Sequence, residues 1–451
     1  MAGLSASYHL GHENCQIFEQ HTFAGGHIHS ERREGFTWDE GPHVSFTKHA
    51  YVRDLFAAST EFLEYPVFPT NYYKGSWVPH PAQTNLHAVP LAIREQCLRD
   101  FRAAHGSEVP ASEQAPENYR EWLEMTFGQS FATLFPRAYT EKYWTTAPEN
   151  LTTDWVGTRV HAPNREEVEQ GALAPLDKST HYISTVRYPK EGGYISFAKK
   201  IAAGAQISYG KKLSYISFAQ KKIYFADRSE TAYDKLISTI PLPVLILQSD
   251  APAPVKEAAK QLSCSSVLLV NVVANHPSQR LENWIYVYDE DKYSTRINLT
   301  ELLSPANGVP GKTGIQVEVY FSKYKELLVS ADEIIEKVCG ELIEMGLIKS
   351  RADIEAVHSK WVEWANVIFD GPRKASLTKI FDWLEQVGLG RDDDELEPTS
   401  DWDEKLGKVK PQANGPFLYL AGRFGQWKYY WTDDCVLRGK FLSKIIDIKA
   451  S

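Results

Sequence analysis

The sequence contains few cysteines, no long apolar run and no excess of basic residues. Its five cysteines lie far apart in 451 residues and none belongs to a C-x-x-C pair, which argues against a zinc site built on cysteine. A sparse, odd-numbered set of this kind is typical of a reducing compartment. No stretch reaches the ~18 apolar residues of a membrane helix, and the first residues lack the segments of a signal peptide. These absences predict a cytoplasmic protein without membrane insertion.

The composition is that of a globular protein with an acidic balance. The formal net charge of -9 gives the surface no general attraction for nucleic acid, which we exclude as a partner. At about 150 residues per domain, the length predicts three domains or two large interleaved ones. The histidines are dispersed, and the spacing of His27 and His29 alone is a weak metal signal. We therefore predict no metal site, and no oligomeric state follows from these patterns.

The first twenty residues follow the order helix, short strand, acidic residue. Residues 1–10 predict a helix with small residues on one side, and residues 15–19 predict a strand that ends in Glu19. This order is the second half of a dinucleotide-binding unit, in which a glycine turn and a helix N-terminus face the pyrophosphate and the acid binds the ribose. Gly3 would be the last glycine of that turn. The alternative is an ordinary amphipathic helix followed by a strand.

Two further glycine-rich segments lie near opposite ends of the chain. Gly25 and Gly26 follow the acid directly, and residues 35–46 with His43 come next. Residues 417–421 predict an apolar strand that breaks at Gly422 and Arg423. Adjacent glycines permit positive φ and a close backbone approach to a flat ring. This order of segments resembles the superfamily of FAD-binding amine oxidases, protoporphyrinogen oxidases and UDP-galactopyranose mutases.

The resemblance implies FAD as the cofactor and a mixed α/β (α+β) fold with a Rossmann-like FAD-binding domain. Residues 1–50, 181–245 and 405–451 would form that discontinuous domain, residues 51–180 a mainly helical substrate or cap region, and residues 246–404 a substrate domain of sheet and helices. The acidic segment 391–404 predicts an exposed loop. The cofactor-binding residues implied by the family pattern are Gly3, Glu19, Gly25, Gly26, Gly422, Arg423 and Asp433, and the implied catalytic residues are His43 and Arg423.

Interior motifs narrow the resemblance to the mutases. Residues 138–144 are similar to a Tyr-Thr-x-Lys-x-Trp segment of those enzymes, and residues 155–164 and 284–296 are similar to two further stretches. The resemblance assigns a substrate diphosphate to Arg159, Tyr286, Arg296 and Tyr429. Asp433 stands where the family has an asparagine, and a carboxylate there would repel the diphosphate. The alternatives are ion pairs for the two arginines and an ordinary loop position for His43.

Three functions remain open at this point. The first is a mutase-like flavoenzyme that acts on a sugar nucleotide, a small-molecule substrate, through reduced flavin and without net redox change. The second is an oxidoreductase of the amine oxidase or protoporphyrinogen oxidase type, which would not need the arginine pair. The third is a truncated, flavin-free relative without activity, because the first strand and first two glycines of the dinucleotide motif are not in the sequence. We favour an enzyme from a longer protein over the third.

Overall fold

The computed structural model describes residues 1–106, 115–157, 159–176, 180, 183–409 and 415–447, and its fold is mixed α/β as predicted. The α-helices of these residues are α1 (Ala2–Leu10), α2 (Ala50–Ala57), α3 (Leu91–His105), α4 (Tyr119–Phe127), α5 (Gln129–Ala132), α6 (Ala138–Tyr143), α7 (Arg165–Gly171), α8 (Lys199–Ala202), α9 (Leu242–Leu247), α10 (Ala253–Gln261), α11 (Thr300–Leu303), α12 (Ala331–Glu344), α13 (Pro372–Gln386), α14 (Trp402–Lys408) and α15 (Thr432–Ile445). The strands are β1 (Ile17–Phe18), β2 (Ser30–Arg33), β3 (Phe36–Asp39), β4 (Phe62–Pro66), β5 (Thr70–Tyr73), β6 (Ser76–Pro79), β7 (Thr185–Pro189), β8 (Ile207–Ser208), β9 (Leu213–Ser217), β10 (Lys222–Phe225), β11 (Glu230–Ala232), β12 (Leu236–Ser238), β13 (Cys264–Ala274), β14 (Trp284–Val287), β15 (Arg296–Leu299), β16 (Thr313–Phe321), β17 (Ile354–Val367) and β18 (Leu418–Leu420).

The largest sheet has seven strands in the order β17-β13-β16-β15-β14-β5-β6. Neighbouring strands run antiparallel, except that β14 and β5 are parallel. Every residue of β16 is buried, and α12 covers this part of the sheet with Ile334, Val338 and Leu342. The apolar runs in β13 and β16 therefore reflect strands buried on both faces. Strands β5 and β6, which belong to the segment 51–180, complete this sheet. The division into three domains stays a prediction.

Two short parallel pairs each join a strand near one end of the chain to a strand from the middle of the sequence. Strand β1 pairs with β8, and β12 pairs with β18. Helix α1 packs against α15, and Ser5 Oγ donates a hydrogen bond to the Val436 carbonyl at 2.7 Å. These contacts bring the first and last parts of the sequence into one layer. Residues of β1 and β12 both line the large cavity described below.

The acidic segment 391–404 is partly buried and its last residues begin α14, whereas the sequence predicted an exposed loop. Asp392 forms an ion pair with Arg438 of α15 at 2.5 Å, and Asp394 forms one with Lys428 at 3.0 Å. Glu395 is only 2% exposed, and burial together with the charge of Asp392 raises its pKa to about 7. Lys405, just after the segment, also pairs with both aspartates. The prediction failed because the other two basic partners, Arg438 and Lys428, are distant in sequence and buried beside these acids.

Candidate active site

One large cavity brings both ends of the chain together. Its volume is about 1790 Å³, and its lining includes Gly25 and Gly26 from the N-terminal part and Gly422 and Arg423 from the C-terminal part. The two glycine segments are about 400 residues apart in the sequence. The fold therefore gives them the shared crevice that a common ligand requires.

The glycine turn at Gly25 and Gly26 allows the backbone to follow the cavity wall closely. Gly25 has φ 101° and Gly26 has φ 59°, which are conformations that L side chains rarely adopt. A Cβ at Gly25 would lie 2.7 Å from Ile195 Cδ1, whereas a Cβ at Gly26 would have no atom within 4 Å. The Gly25 carbonyl accepts a hydrogen bond from the Met1 amino group at 2.7 Å. Only glycine fits at the first position, and the second faces open space.

Two helix N-termini also reach the cavity. Gly3 in the first turn of α1 and Asp433 in the first turn of α15 both line it, so the positive ends of two helix dipoles point toward the same space. Glu19, just after β1, lines it as well and accepts a hydrogen bond from the His21 backbone at 2.9 Å. Beside Asp433, burial and like charge raise the pKa of Asp434 to about 7. The positive ends of α1 and α15 favour the binding of a phosphate group, whereas negative charge on Asp433 and Asp434 would repel it.

His43 lies in the cavity wall as a neutral imidazole. Its Nδ1 donates to the Gly41 carbonyl at 2.9 Å, which leaves Nε2 as a hydrogen-bond acceptor. Burial lowers the pKa of His43 to about 4, assisted by the nearby charges of His27, Arg423 and Arg296. Arg423 also lines the cavity, and its Nε donates to the Tyr430 carbonyl at 2.7 Å. Both predicted catalytic residues therefore reach the cavity, and their catalytic role stays a prediction.

A charged cluster that the sequence did not predict joins the glycine turn to the large sheet. Glu40 accepts a hydrogen bond from His27 Nδ1 at 3.0 Å and forms an ion pair with Lys360 of β17 at 2.6 Å. Burial alone would raise the pKa of Glu40, but the contacts with His27 and Lys360 lower it to about 2. All three side chains line the cavity. Glu40 thus stays ionised and holds the two walls of the cavity together.

Strands β14, β15 and β16 place three polar side chains in one row across the sheet. Tyr286 lies opposite Arg296, and Arg296 lies opposite Glu318, so all three share one face. Arg296 binds Glu318 through two parallel contacts, Nε to Oε2 at 2.6 Å and Nη2 to Oε1 at 2.9 Å. The three side chains line the cavity. The predicted diphosphate ligand Arg296 therefore already has a carboxylate partner.

The predicted ligands Arg159 and Tyr429 are in direct contact with each other. The Arg159 guanidinium lies between the rings of Tyr429 and Trp431, 4.0 Å from each centroid, and its Nη2 donates to the Tyr429 carbonyl at 2.8 Å. Tyr429 lines the cavity, but Arg159 does not. The structure thus brings Tyr286, Arg296 and Tyr429 to the cavity, and Arg159 supports Tyr429.

Besides Glu40 and Lys360, further cavity residues that the sequence did not predict as site residues include Glu318, Tyr143 and Tyr320. The Tyr143 hydroxyl donates to Asn366 Oδ1 at 3.2 Å. A signal was present for two of them, because Glu318 and Tyr320, like Gln316, alternate with apolar residues along β16 and therefore point to one face. Within the residues that the structure describes, no group of three or more His, Cys, Asp or Glu side chains could hold a metal ion.

No helix in the described part of the chain has the length and apolar character needed to cross a lipid bilayer.

A family model described as flavin containing amine oxidoreductase matches residues 1–439. The chain belongs to this flavin-containing amine oxidoreductase family. Membership confirms the resemblance drawn from the glycine segments and the predicted cofactor, FAD.

Solved structures of similar fold come from several branches of flavoenzymes. Reduced UDP-galactopyranose mutase superposes with a TM-score of 0.84 at 22% identity, covering 98% of this chain and 92% of that chain. A putative protoporphyrinogen oxidase from Exiguobacterium sp. 255-15 gives 0.67 at 15% identity, covering 98% and 95%. A putrescine oxidase double mutant gives 0.57 at 11% identity, covering 98% and 96%. At these identities the likeness shows a common fold.

The cavity fits the family cofactor. FAD needs a close backbone approach for its flat ring and positive helix ends for its pyrophosphate, and the Gly25 turn and the N-termini of α1 and α15 offer both. At Gly422, φ is 86° and a Cβ would lie 3.1 Å from Ala2 Cβ, so this second turn also depends on glycine. The residues that would hold the cofactor are Gly3, Glu19, Gly25, Gly26, Gly422 and Arg423.

Proposed function

We propose that this flavoenzyme acts on a sugar nucleotide through reduced flavin. The observation that carries the proposal is the continuity of one cavity, from the Gly25 and Gly422 turns to the row of Tyr286, Arg296 and Glu318. A cofactor in the glycine crevice would share this space with a ligand at the polar row. Reduced FAD, when bound, supplies a nucleophile to the sugar or an electron reservoir for redox chemistry.

The volume of the cavity supports two ligands in contact. Sites for single small molecules usually enclose about 300–1,000 Å³, and this cavity encloses about 1790 Å³. The polar row and the aromatic ring of Tyr429 would receive the nucleotide and sugar, because tyrosine hydroxyls and a guanidinium are good partners for phosphate and sugar oxygens. The TM-score of 0.84 with reduced UDP-galactopyranose mutase, against 0.67 and 0.57 with the two oxidases, also supports this candidate.

His43 would orient a polar group at the junction of the two sites. As a neutral imidazole with Nδ1 bound to Gly41, it presents an acceptor at Nε2 and cannot donate a proton there near pH 7. Arg423, fixed by the Tyr430 carbonyl, would contribute positive charge to the same region. In these roles His43 and Arg423 would bind and orient the ligand, and the cofactor would carry out the covalent chemistry.

A second candidate is an oxidoreductase of the amine oxidase or protoporphyrinogen oxidase type. The contact of Arg296 with Glu318 favours it, because this pair has no net charge and offers less attraction for a diphosphate than a free arginine would. The stacked position of Arg159, outside the cavity lining, favours it too.

The test is conversion of UDP-galactopyranose by the 451-residue chain with FAD, before and after reduction with dithionite. Formation of the furanose isomer only after reduction supports the sugar-nucleotide proposal, and Arg296→Ala should abolish it. Arg280→Ala, an arginine outside the cavity lining, is the matched control. Absence of conversion in the reduced enzyme, with hydrogen peroxide formed from an amine or porphyrinogen, would instead establish the oxidoreductase.

A further inference from the structure

The pair of Arg296 and Glu318 is a built and enclosed contact. Glu318 is 3% exposed, and both of its oxygens accept from the Arg296 guanidinium. A Cβ at Gly41 would lie 2.8 Å from Glu318 Oε1, so the backbone of the His43 turn closes over the carboxylate. Two parallel charge-assisted contacts of this kind are also the arrangement in which a guanidinium binds a phosphate.

We propose that Glu318 competes with the substrate diphosphate for Arg296, so that binding exchanges a carboxylate for a phosphate at this guanidinium. The proposal rests on the sugar-nucleotide function and adds a specificity-determining residue to it. One guanidinium edge cannot bind both anions in the bidentate manner, and two anions side by side in a buried site repel each other. Glu318 occupies the Nε and Nη2 edge, and a diphosphate at the remaining edge of the same buried guanidinium would lie beside the carboxylate and repel it. In the proposed exchange, displacement of Glu318 relieves this repulsion.

The displaced carboxylate should take up a proton. A buried carboxylate that loses its cation is strongly disfavoured in the ionised form, because few polar groups replace the lost solvation. In the described part of the chain, the titratable groups shown to interact electrostatically with Glu318, besides Arg296, are the phenols of Tyr143, Tyr286 and Tyr320. None of these phenols supplies positive charge. Proton uptake from solvent is then the available way to neutralise Glu318.

The exchange also explains how the site would select its ligand. An uncharged nucleoside cannot displace Glu318 and would bind without Arg296. A diphosphate carries enough charge to take the guanidinium, and its affinity is lowered by the work of displacing the carboxylate. Glu318→Gln keeps the shape of the side chain but removes the competing charge, so this variant should bind a diphosphate more tightly than the native chain does.

The experiment is titration calorimetry of the chain carrying FAD with UDP, at pH 7 in two buffers of different ionisation enthalpy. We expect uptake of about one proton per UDP in the native protein, and no uptake with about tenfold tighter binding in Glu318→Gln. Uridine should bind both proteins equally and without proton uptake. The control is Glu363→Gln, an exposed glutamate in the same cavity lining, which should behave as the native chain does.

The outcomes separate the two proposals. UDP binding without proton uptake in the native protein overturns the exchange, even if Glu318→Gln fails to fold, and leaves the sugar-nucleotide function standing. Equal UDP affinity in the native chain and in a folded Glu318→Gln also overturns it. If neither protein binds UDP, with the flavin oxidised or reduced, both proposals are wrong.

Discussion

Replacing Gly25 and Gly26 one at a time by alanine tests whether the glycine turn holds the cofactor. A Cβ at Gly25 would approach Ile195 Cδ1 to 2.7 Å and Ile28 Cγ1 to 2.9 Å, well inside ordinary carbon contact, and φ is 101°. Strain at such a backbone position costs about 1–3 kcal/mol, and overpacking costs about 1–3 kcal/mol more. Gly25→Ala should therefore lose about 2–6 kcal/mol of unfolding free energy.

Gly26→Ala is the matched variant, because it has positive φ without a steric neighbour. Its Cβ would have no atom within 4 Å, so only the backbone strain of about 1–2 kcal/mol remains. The added methyl group would stand in the open space at the cavity wall, and we expect this variant to fold but to bind FAD less tightly. Urea unfolding gives the stability of both variants, and fluorescence titration with FAD gives the affinity.

The two results have distinct meanings. Equal stability of Gly25→Ala and the native chain would show that Ile195 and Ile28 move aside at no cost, and that the turn is not tightly packed. Unchanged FAD affinity in a folded Gly26→Ala would show that the turn does not contact the cofactor, which refutes the placement of FAD in this crevice.

Three further predictions concern ionic and stacking contacts. Arg438→Met should lower the unfolding free energy in urea by about 1.5–3 kcal/mol, because it removes the shorter of the two ion pairs of Asp392 and leaves only Lys405, at 3.2 Å. Lys408→Met, which removes an exposed pair with Glu404, should change it by less than about 1 kcal/mol. Equal effects of the two substitutions would contradict this. Glu40 has a pKa of about 2 in the folded chain against an ordinary 4.5, so the stability that it contributes is present above pH 4.5 and is lost as pH falls toward 2. Lys360→Met should therefore raise the midpoint pH of acid unfolding, followed by circular dichroism. An unchanged midpoint would refute the coupling between Glu40 and Lys360. Arg159→Lys should lower the free energy of unfolding in urea by about 1–2 kcal/mol, because an ammonium does not stack on aromatic rings as a guanidinium does. Full stability in this variant would mean that the stacking contributes nothing.

Local sequence was enough to predict the segments that depend on short-range patterns. The helix of residues 1–10 is α1, and the apolar run before Gly422 is β18. In each case a few neighbouring residues fix the backbone, through small side chains or a terminal glycine. The same holds for the positive φ of Gly25 and Gly26.

Contacts between distant segments could not be predicted in this way. Arg296 and Glu318 face each other because β15 and β16 adopt one register out of several that the apolar pattern permits. The partial burial of residues 391–404 depends on Lys405 and also on Arg438 and Lys428, which lie more than twenty residues further along the chain. The acidic composition predicted exposure because composition alone does not show where opposite charges will lie.

The bridge formed by Glu40 has a consequence for how the two halves of the cavity communicate. Glu40 contacts His27 of the glycine turn and Lys360 in the middle of β17 directly, so that a movement of one segment is passed to the other through side-chain contacts. A ligand that shifts β17 would thereby alter the affinity of the opposite wall for its own ligand. Thermodynamic linkage makes this influence mutual, so that each occupant would change the affinity for the other by the same factor.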